Sequence, residues 1–104
     1  MGGMPTDHAA ILDGLTSNPQ LRGFIRAGRI VALPAKQSRR RQLLAEVAQI
    51  FEPGVRYPEP AVNHLLLALH SDYAALRRYL VDEEFMDRAS GVYWRIGGPV
   101  VLSA

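Results

Sequence analysis

"PEPAVNHLLLALHSDYAALRRYLVDEEFMDRASGVYWR", Pro58 to Arg95, holds two helical patterns parted only by "HS" and then two strand-like segments around "ASG". Pro60 suits the first turn of a helix, where its missing N–H costs nothing. Val62, Leu65, Leu66 and Leu69 recur at helical spacing and predict one buried side. Asp72 is a good N-cap for the next helix, 72–83, whose inner face takes Tyr73, Leu76 and Leu80. Gly91 supplies turn chemistry between the strand segments. Of the neighbours Tyr93 and Trp94, alternation buries one, and Trp94 is the one expected inside. Two amphipathic helices joined by a short turn are the helix-turn-helix signature, and the hairpin after them reads as a wing.

Upstream, "PAKQSRRRQLLAEV" opens a helix whose Leu44, Val47, Ala48 and Phe51 fall at i, i+3, i+4 and i+7 until "EPG" at 52–54 stops it. "VRY" is a strand stub, and "RIVALP" a short strand ended by Pro34. Before these, "DHAAILDGL" and "NPQLRGFIRAG" read as short helical stretches, the second stopping at Gly28. The whole predicts an α+β, mainly helical chain: an N-terminal helical extension over 1–28, a winged helix-turn-helix over 29–96, and a flexible C-terminal tail over 97–104. Ile11, Leu12, Leu15, Phe24 and Ile25 exceed what one thin layer needs, so residues 6–28 are the expected surface of a homodimer.

Composition bounds the function. A chain of 104 residues, 48% apolar and 21% charged, is ordinary for one small globular domain. It has no apolar run of membrane-spanning length and no signal-peptide pattern, and the lack of cysteine fits the cytoplasm. The net charge is only +2, with Lys36 the single lysine against eleven arginines. Arginine suits bidentate phosphate and guanine contacts, although a GC-rich genome gives the same bias.

Four stretches, "LPAK", "FEPGVRYPEPAVN", "HSDYAALRRYLVDE" and "FMDRASGVYWR", carry a resemblance from about Arg29 to Arg95. Here the chain resembles a bacterial domain-of-unknown-function family, number twenty-eighty-seven, seen alone or fused to ArsR-type helix-turn-helix regulators. The resemblance implies a transcription-regulator-like fold without an established enzymatic activity. Where such sequences usually have Gly after the last helix, this one has Glu84, in "VDEEFM". If that position takes a positive φ, the non-glycine residue is strained by about 1 kcal/mol.

On this frame helix 72–83 is the expected recognition helix for double-stranded DNA. Opposite its apolar side lie Ala74, Ala75, Arg78 and Asp82, with Arg77 at the border of the stripe. Small Ala74 and Ala75 permit close approach, Arg78 reaches for a guanine edge or a phosphate, and Arg77 for a flanking phosphate. The same face also reads as an ordinary solvated surface, because Asp82, Glu83, Glu84 and Asp87 follow at once. Arg39, Arg40 and Arg41 sit where a helix N-terminus disfavours cations, by about 0.3–1 kcal/mol each. A phosphate met there by guanidinium and backbone N–H alike gives them a use. Alternatively the helix begins near Ala35 and they form a soluble face. Arg88 and Arg95 flank "ASG" and are expected to bracket a phosphate run.

The competing reading is a protein-interaction module that docks on a regulator, a polymerase or a ribosome-associated partner, favoured by the acidic stretch 82–87 and the low net charge. RNA binding would want exposed aromatics. Convergence of the arginines on one surface discriminates in favour of nucleic acid. His64 and His70 are six apart, not at the i, i+4 spacing of a helical metal pair, and no metal site is predicted. His70 is expected to meet the carbonyls at its helix's end. "GRIVALP" and "GGPVV" match no phosphate-binding loop. No serine has a base and an orienting partner, so neither cofactor nor enzymatic activity is expected.

Overall fold

The computed structural model describes residues 7–96, so the tail expected over 97–104 lies outside the described residues. Helix α1 (His8–Ser17) is capped by Asp7, whose carboxylate accepts from the Ala10 N–H at 2.9 Å. A 3-10 turn (Arg22–Phe24) leads into strands β1 (Ile25–Arg26) and β2 (Arg29–Ile30). The helical stretch expected up to Gly28 is therefore a turn, one 3-10 turn and the first arm of a hairpin. Ala27 and Gly28 both have positive φ, 53° and 72°, as a two-residue turn of type I′ requires, and it is here that Gly28 is needed. Helix α2 (Gln37–Val47) tightens into a 3-10 turn at Ala48–Ile50. Strand β3 (Arg56–Pro58), helix α3 (Glu59–Leu67), helix α4 (Tyr73–Asp82), strand β4 (Met86–Ala89) and strand β5 (Val92–Arg95) follow.

The "VRY" stub is more than a stub. β3 pairs antiparallel with β5, and β5 with β4, so the last strand lies in the middle of a three-stranded sheet. The β4–β5 turn, Ser90 and Gly91 at φ 53° and 76°, is again of the I′ kind. The protein is thus a small α+β domain, mainly helical, with four helices and two antiparallel sheets among the described residues.

One core serves all of it. Leu43, Leu44, Val47 and Phe51 around α2 meet Val62, Leu66 and Leu69 around α3, and Leu76 and Leu80 of α4. Ile11, Leu15 and Leu21 are fully buried in the same cluster. Within the described residues the N-terminal segment is therefore part of this core, not a layer added to it. The apolar surplus that pointed to a dimer surface is consumed internally at these positions, and Leu12 and Ile25 pack against the cluster.

Two differences from the sequence reading have local causes. Tyr93, not Trp94, is the buried aromatic of β5, at 1% exposure. Tyr93 can bury its ring because its hydroxyl finds a partner, donating to Glu59 Oε1 at 2.8 Å. Trp94 faces the other side of the sheet, beneath the Arg56 guanidinium at 4.3 Å from its ring centroid. Secondly, the side chain of His70 does not meet the carbonyls of α3, although its backbone N–H donates to Leu66. Its Nδ1 lies 2.8 Å from the Ile30 carbonyl, while Arg29 donates to the carbonyls of Leu67 and Ala68. Together with the Ile30 N–H on the Leu69 carbonyl, these bonds fasten β2 to the α3–α4 turn.

Helix α4 ends in a Schellman motif: Phe85 N–H donates to Leu80 and Glu84 N–H to Val81. The residue between helix and strand, Glu84, takes φ 68°, so the strained alternative is the one adopted. Glu84→Gly is expected to stabilise the domain by about 1 kcal/mol. That should raise the thermal midpoint by about 4–8 °C. Glu84→Ala, which keeps the Cβ, should give no comparable rise; equal shifts in calorimetry would refute the strain.

Candidate nucleic-acid interface

Of the nine residues expected at DNA, seven fall in two places, and Ala75 and Arg95 lie in neither. Arg40 and Arg41, in the first turns of α2, reach across to the C-terminus of α4. Arg40 Nε donates to Glu83 Oε2 at 2.9 Å, and Arg41 Nη1 to Glu83 Oε1 at 3.2 Å. Glu83 is only 7% exposed, and Gln37 Nε2 also reaches its Oε1. Arg40 further donates to the carbonyls of Pro34 and Ala35 and stacks 4.6 Å over the Tyr79 ring. Arg41 lies over Phe85. Arg40 has little left for a phosphate, whereas Arg41, tied through Nη1 alone, keeps donors free and Arg39 beside it is exposed.

The second place is a cleft of about 180 Å³ between α4 and the β4–β5 hairpin. Ala74, Arg77, Arg78, Val81 and Asp82 form its helical wall, and Arg88 and Tyr93 its strand wall. Four of the expected residues, Ala74, Arg77, Arg78 and Arg88, thus meet. Positions 74, 77, 78 and 81 follow the i, i+3, i+4, i+7 spacing of one helix face. Arg88 enters because β4 and β5 pair Arg88 with Tyr93. Ala75 is half-buried and does not line the cleft, and Arg95 donates to the Phe51 carbonyl, away from Arg88. The bracket expected around "ASG" does not form.

The cleft rests on Glu59, at the start of α3. Arg77 Nη1 bonds Asn63 Oδ1 and lies 3.9 Å from Glu59 Oε2. Arg88 Nη1 donates to the Tyr93 hydroxyl at 3.5 Å, which in turn donates to Glu59 Oε1. The Tyr93 hydrogen bond above all, with help from the charges of Glu59 and Asp82, raises the Arg88 pKa above its ordinary value. Arg78 is exposed and has no hydrogen-bond or ion-pair partner among the described residues. Such an arrangement can receive an anion: three guanidiniums, each with N–H donors to spare, face a space that one carboxylate, Asp82, shares. Among the described residues no three His, Asp or Glu side chains group as a metal site would need.

Sequence reasoning missed Glu83, Glu59, Asn63 and Tyr93. For Glu83 a signal existed: an acid at one helix's C-terminus and cations at another's N-terminus are both misplaced on their own dipoles.

The bacterial family described as "Uncharacterized protein conserved in bacteria (DUF2087)" matches residues 29–95, from the Arg29 that caps α3 to the end of β5. The chain belongs to the DUF2087 family. No curated protein and no solved structure matches it. The matched span holds the whole cleft and the Glu83 node, while α1, outside it, contributes Ile11 and Leu15 to the DUF2087 core.

Removing Glu83 strands two guanidiniums, one of them only 15% exposed. Glu83→Ala is therefore expected to cost about 2–4 kcal/mol, less than a fully buried pair because Arg41 is partly solvated. Arg39→Ala should stay within about 0.5 kcal/mol. Urea unfolding of both variants measures the difference; similar small losses would remove Glu83 from its structural role.

Proposed function

We propose that this DUF2087 domain binds double-stranded DNA as a small winged helix-turn-helix module, a transcriptional regulator or an accessory of one. α4 is the helix that enters the major groove, and the β4–β5 hairpin is the wing beside it. What supports the winged reading is the order α2, β3, α3, α4, β4, β5 with β5 between β3 and β4. The observation that carries the DNA reading is the meeting of Arg77, Arg78 and Arg88 with exposed Ala74 in one cleft. A methyl-sized side chain lets the helix approach bases closely, and free Arg78 suits a guanine edge or a phosphate. The hairpin turn is two residues long, so the wing reaches the backbone and not the bases.

A second reading, a protein-docking module, draws on a different observation. Glu83 offsets one of the two charges of Arg40 and Arg41, and Asp82 sits on the cleft wall, which leaves fewer cations for a phosphate backbone.

Fluorescence anisotropy with a random-sequence duplex at several salt concentrations separates the two. For DNA, log affinity falls linearly with log salt, and Arg78→Ala lowers the magnitude of the slope by about one. Arg39→Ala at the far helix end should change it less. An absence of binding at low salt would end the DNA reading in favour of a protein partner.

A further inference from the structure

We propose that the cleft between α4 and the β4–β5 hairpin is a seat for a single backbone phosphate, clamped by Arg77, Arg78 and Arg88, with Tyr93 and Glu59 as its positioning residues. This rests on the DNA reading and deepens it: it names the group that enters the cleft and two residues that never touch it.

The size selects the ligand. At about 180 Å³ the space is below the roughly 300–1,000 Å³ of pockets that enclose whole small molecules. A phosphodiester needs no more. Three guanidiniums meet two carboxylates, Asp82 on the wall and Glu59 behind Arg77, which leaves one net positive charge for one singly charged phosphodiester.

The walls are held before any ligand arrives. Glu59 uses both carboxylate oxygens: Oε2 faces Arg77, and Oε1 accepts from Tyr93, whose hydroxyl accepts from Arg88. One acidic side chain thus fixes two clamp arms on opposite walls. Each arm is tied through one terminal nitrogen, Nη1, which leaves the other donors of the fork for an anion. Long cationic side chains ordinarily lose rotamer freedom on binding, and arms tied in advance lose less. Arg78, exposed and untied among the described residues, closes the seat as the adaptable third arm. The raised pKa of Arg88 agrees with this placement.

A double-mutant cycle tests positioning apart from charge. Binding of a random-sequence duplex is measured for the full chain, Arg88→Ala, Tyr93→Phe and the combined variant, each below its thermal midpoint. Arg88→Ala is expected to weaken binding about tenfold and to lower the salt slope by about one. Tyr93→Phe alters no charge, yet should weaken binding about threefold in the full chain and not further once Arg88 is gone. A merely structural role for Tyr93 predicts equal losses in both backgrounds, and that result would overturn the positioning. Duplex binding untouched by Arg88→Ala and by Arg77→Ala, while Arg78→Ala still lowers the salt slope, would overturn the seat and leave the DNA reading standing.

Sodium phosphate, followed by amide shifts, supplies the arm that does not depend on duplex. Shifts confined to residues 74–82 and 86–93 are expected. The same shifts in a chain that binds no duplex would reassign the seat to a free phosphate anion and overturn its nucleic-acid form. Shifts scattered over the surface would overturn the seat outright.

Discussion

The carboxylate of Glu83 is the interaction on which the arrangement of this domain most depends. It lies at the C-terminal end of α4, where a helix's partial negative charge disfavours an acid, and the arginines of α2 lie where a partial positive charge disfavours them. Each set is wrong for its own helix and right for the other's. α2 has no acid in its first turn and no side-chain N-cap, and Glu83 brings negative charge to that end from another element. In return Arg40 and Arg41 put positive charge beside the end of α4. Buried ion pairs are poor sources of net stability, but they are specific, because any other packing leaves the charges stranded. Here the pair sets how α2 meets the end of α4, and with it the direction in which β4 departs.

That departure determines the cleft. From Glu84 at positive φ the chain turns into β4, the register of β4 on β5 sets Arg88 against Tyr93, and β3 on the far side of β5 leads directly into α3 with Glu59. Arg77 and Arg78 on α4, Arg88 on β4, Tyr93 on β5 and Glu59 on α3 therefore come from four elements whose relative positions are fixed by one αL residue and two strand registers. The strain at Glu84 is small beside the Schellman hydrogen bonds and the burial of Phe85 that it permits.

The sequence carried the architecture further than the site. Apolar spacing placed Leu44, Val47, Ala48 and Phe51, Val62, Leu65, Leu66 and Leu69, and Tyr73, Leu76 and Leu80 inside, and all are buried except Leu65 and Tyr73, which are half-buried. Asp72 and Pro60 marked helix starts because capping is local chemistry. What escaped was non-local. Nothing near "VRY" announces that it will pair with a strand 35 or so residues on. Nothing near Tyr93 announces Glu59, 34 residues away, and without that hydrogen-bond partner the larger Trp94 was the natural candidate for burial. The cleft face of α4 was legible in part: helical periodicity grouped Ala74, Arg78 and Asp82, but it also took in Ala75, which is half-buried, and left Arg77 at the border. The fate of Arg40 and Arg41 was not, since it depends on an acid 43 and 42 residues downstream.

The division of the arginines follows from what surrounds each guanidinium. A cation in a half-buried position must have its charge matched inside the protein, so Arg40 and Arg41 are committed to Glu83. A cation at the surface keeps most of its donors in water and can exchange that water for an anion at little cost. Arg77 and Arg88 stand between these cases. Glu59 is itself partly solvated, so it orients them while its charge is screened more than that of buried Glu83. Tyr93 joins the two domains of this chemistry: its ring belongs to the hydrophobic core, and its hydroxyl belongs to the cleft. Packing of the core thereby fixes an oxygen to within the reach of Arg88, and rigidity gained by burying an aromatic ring becomes order in a cationic site.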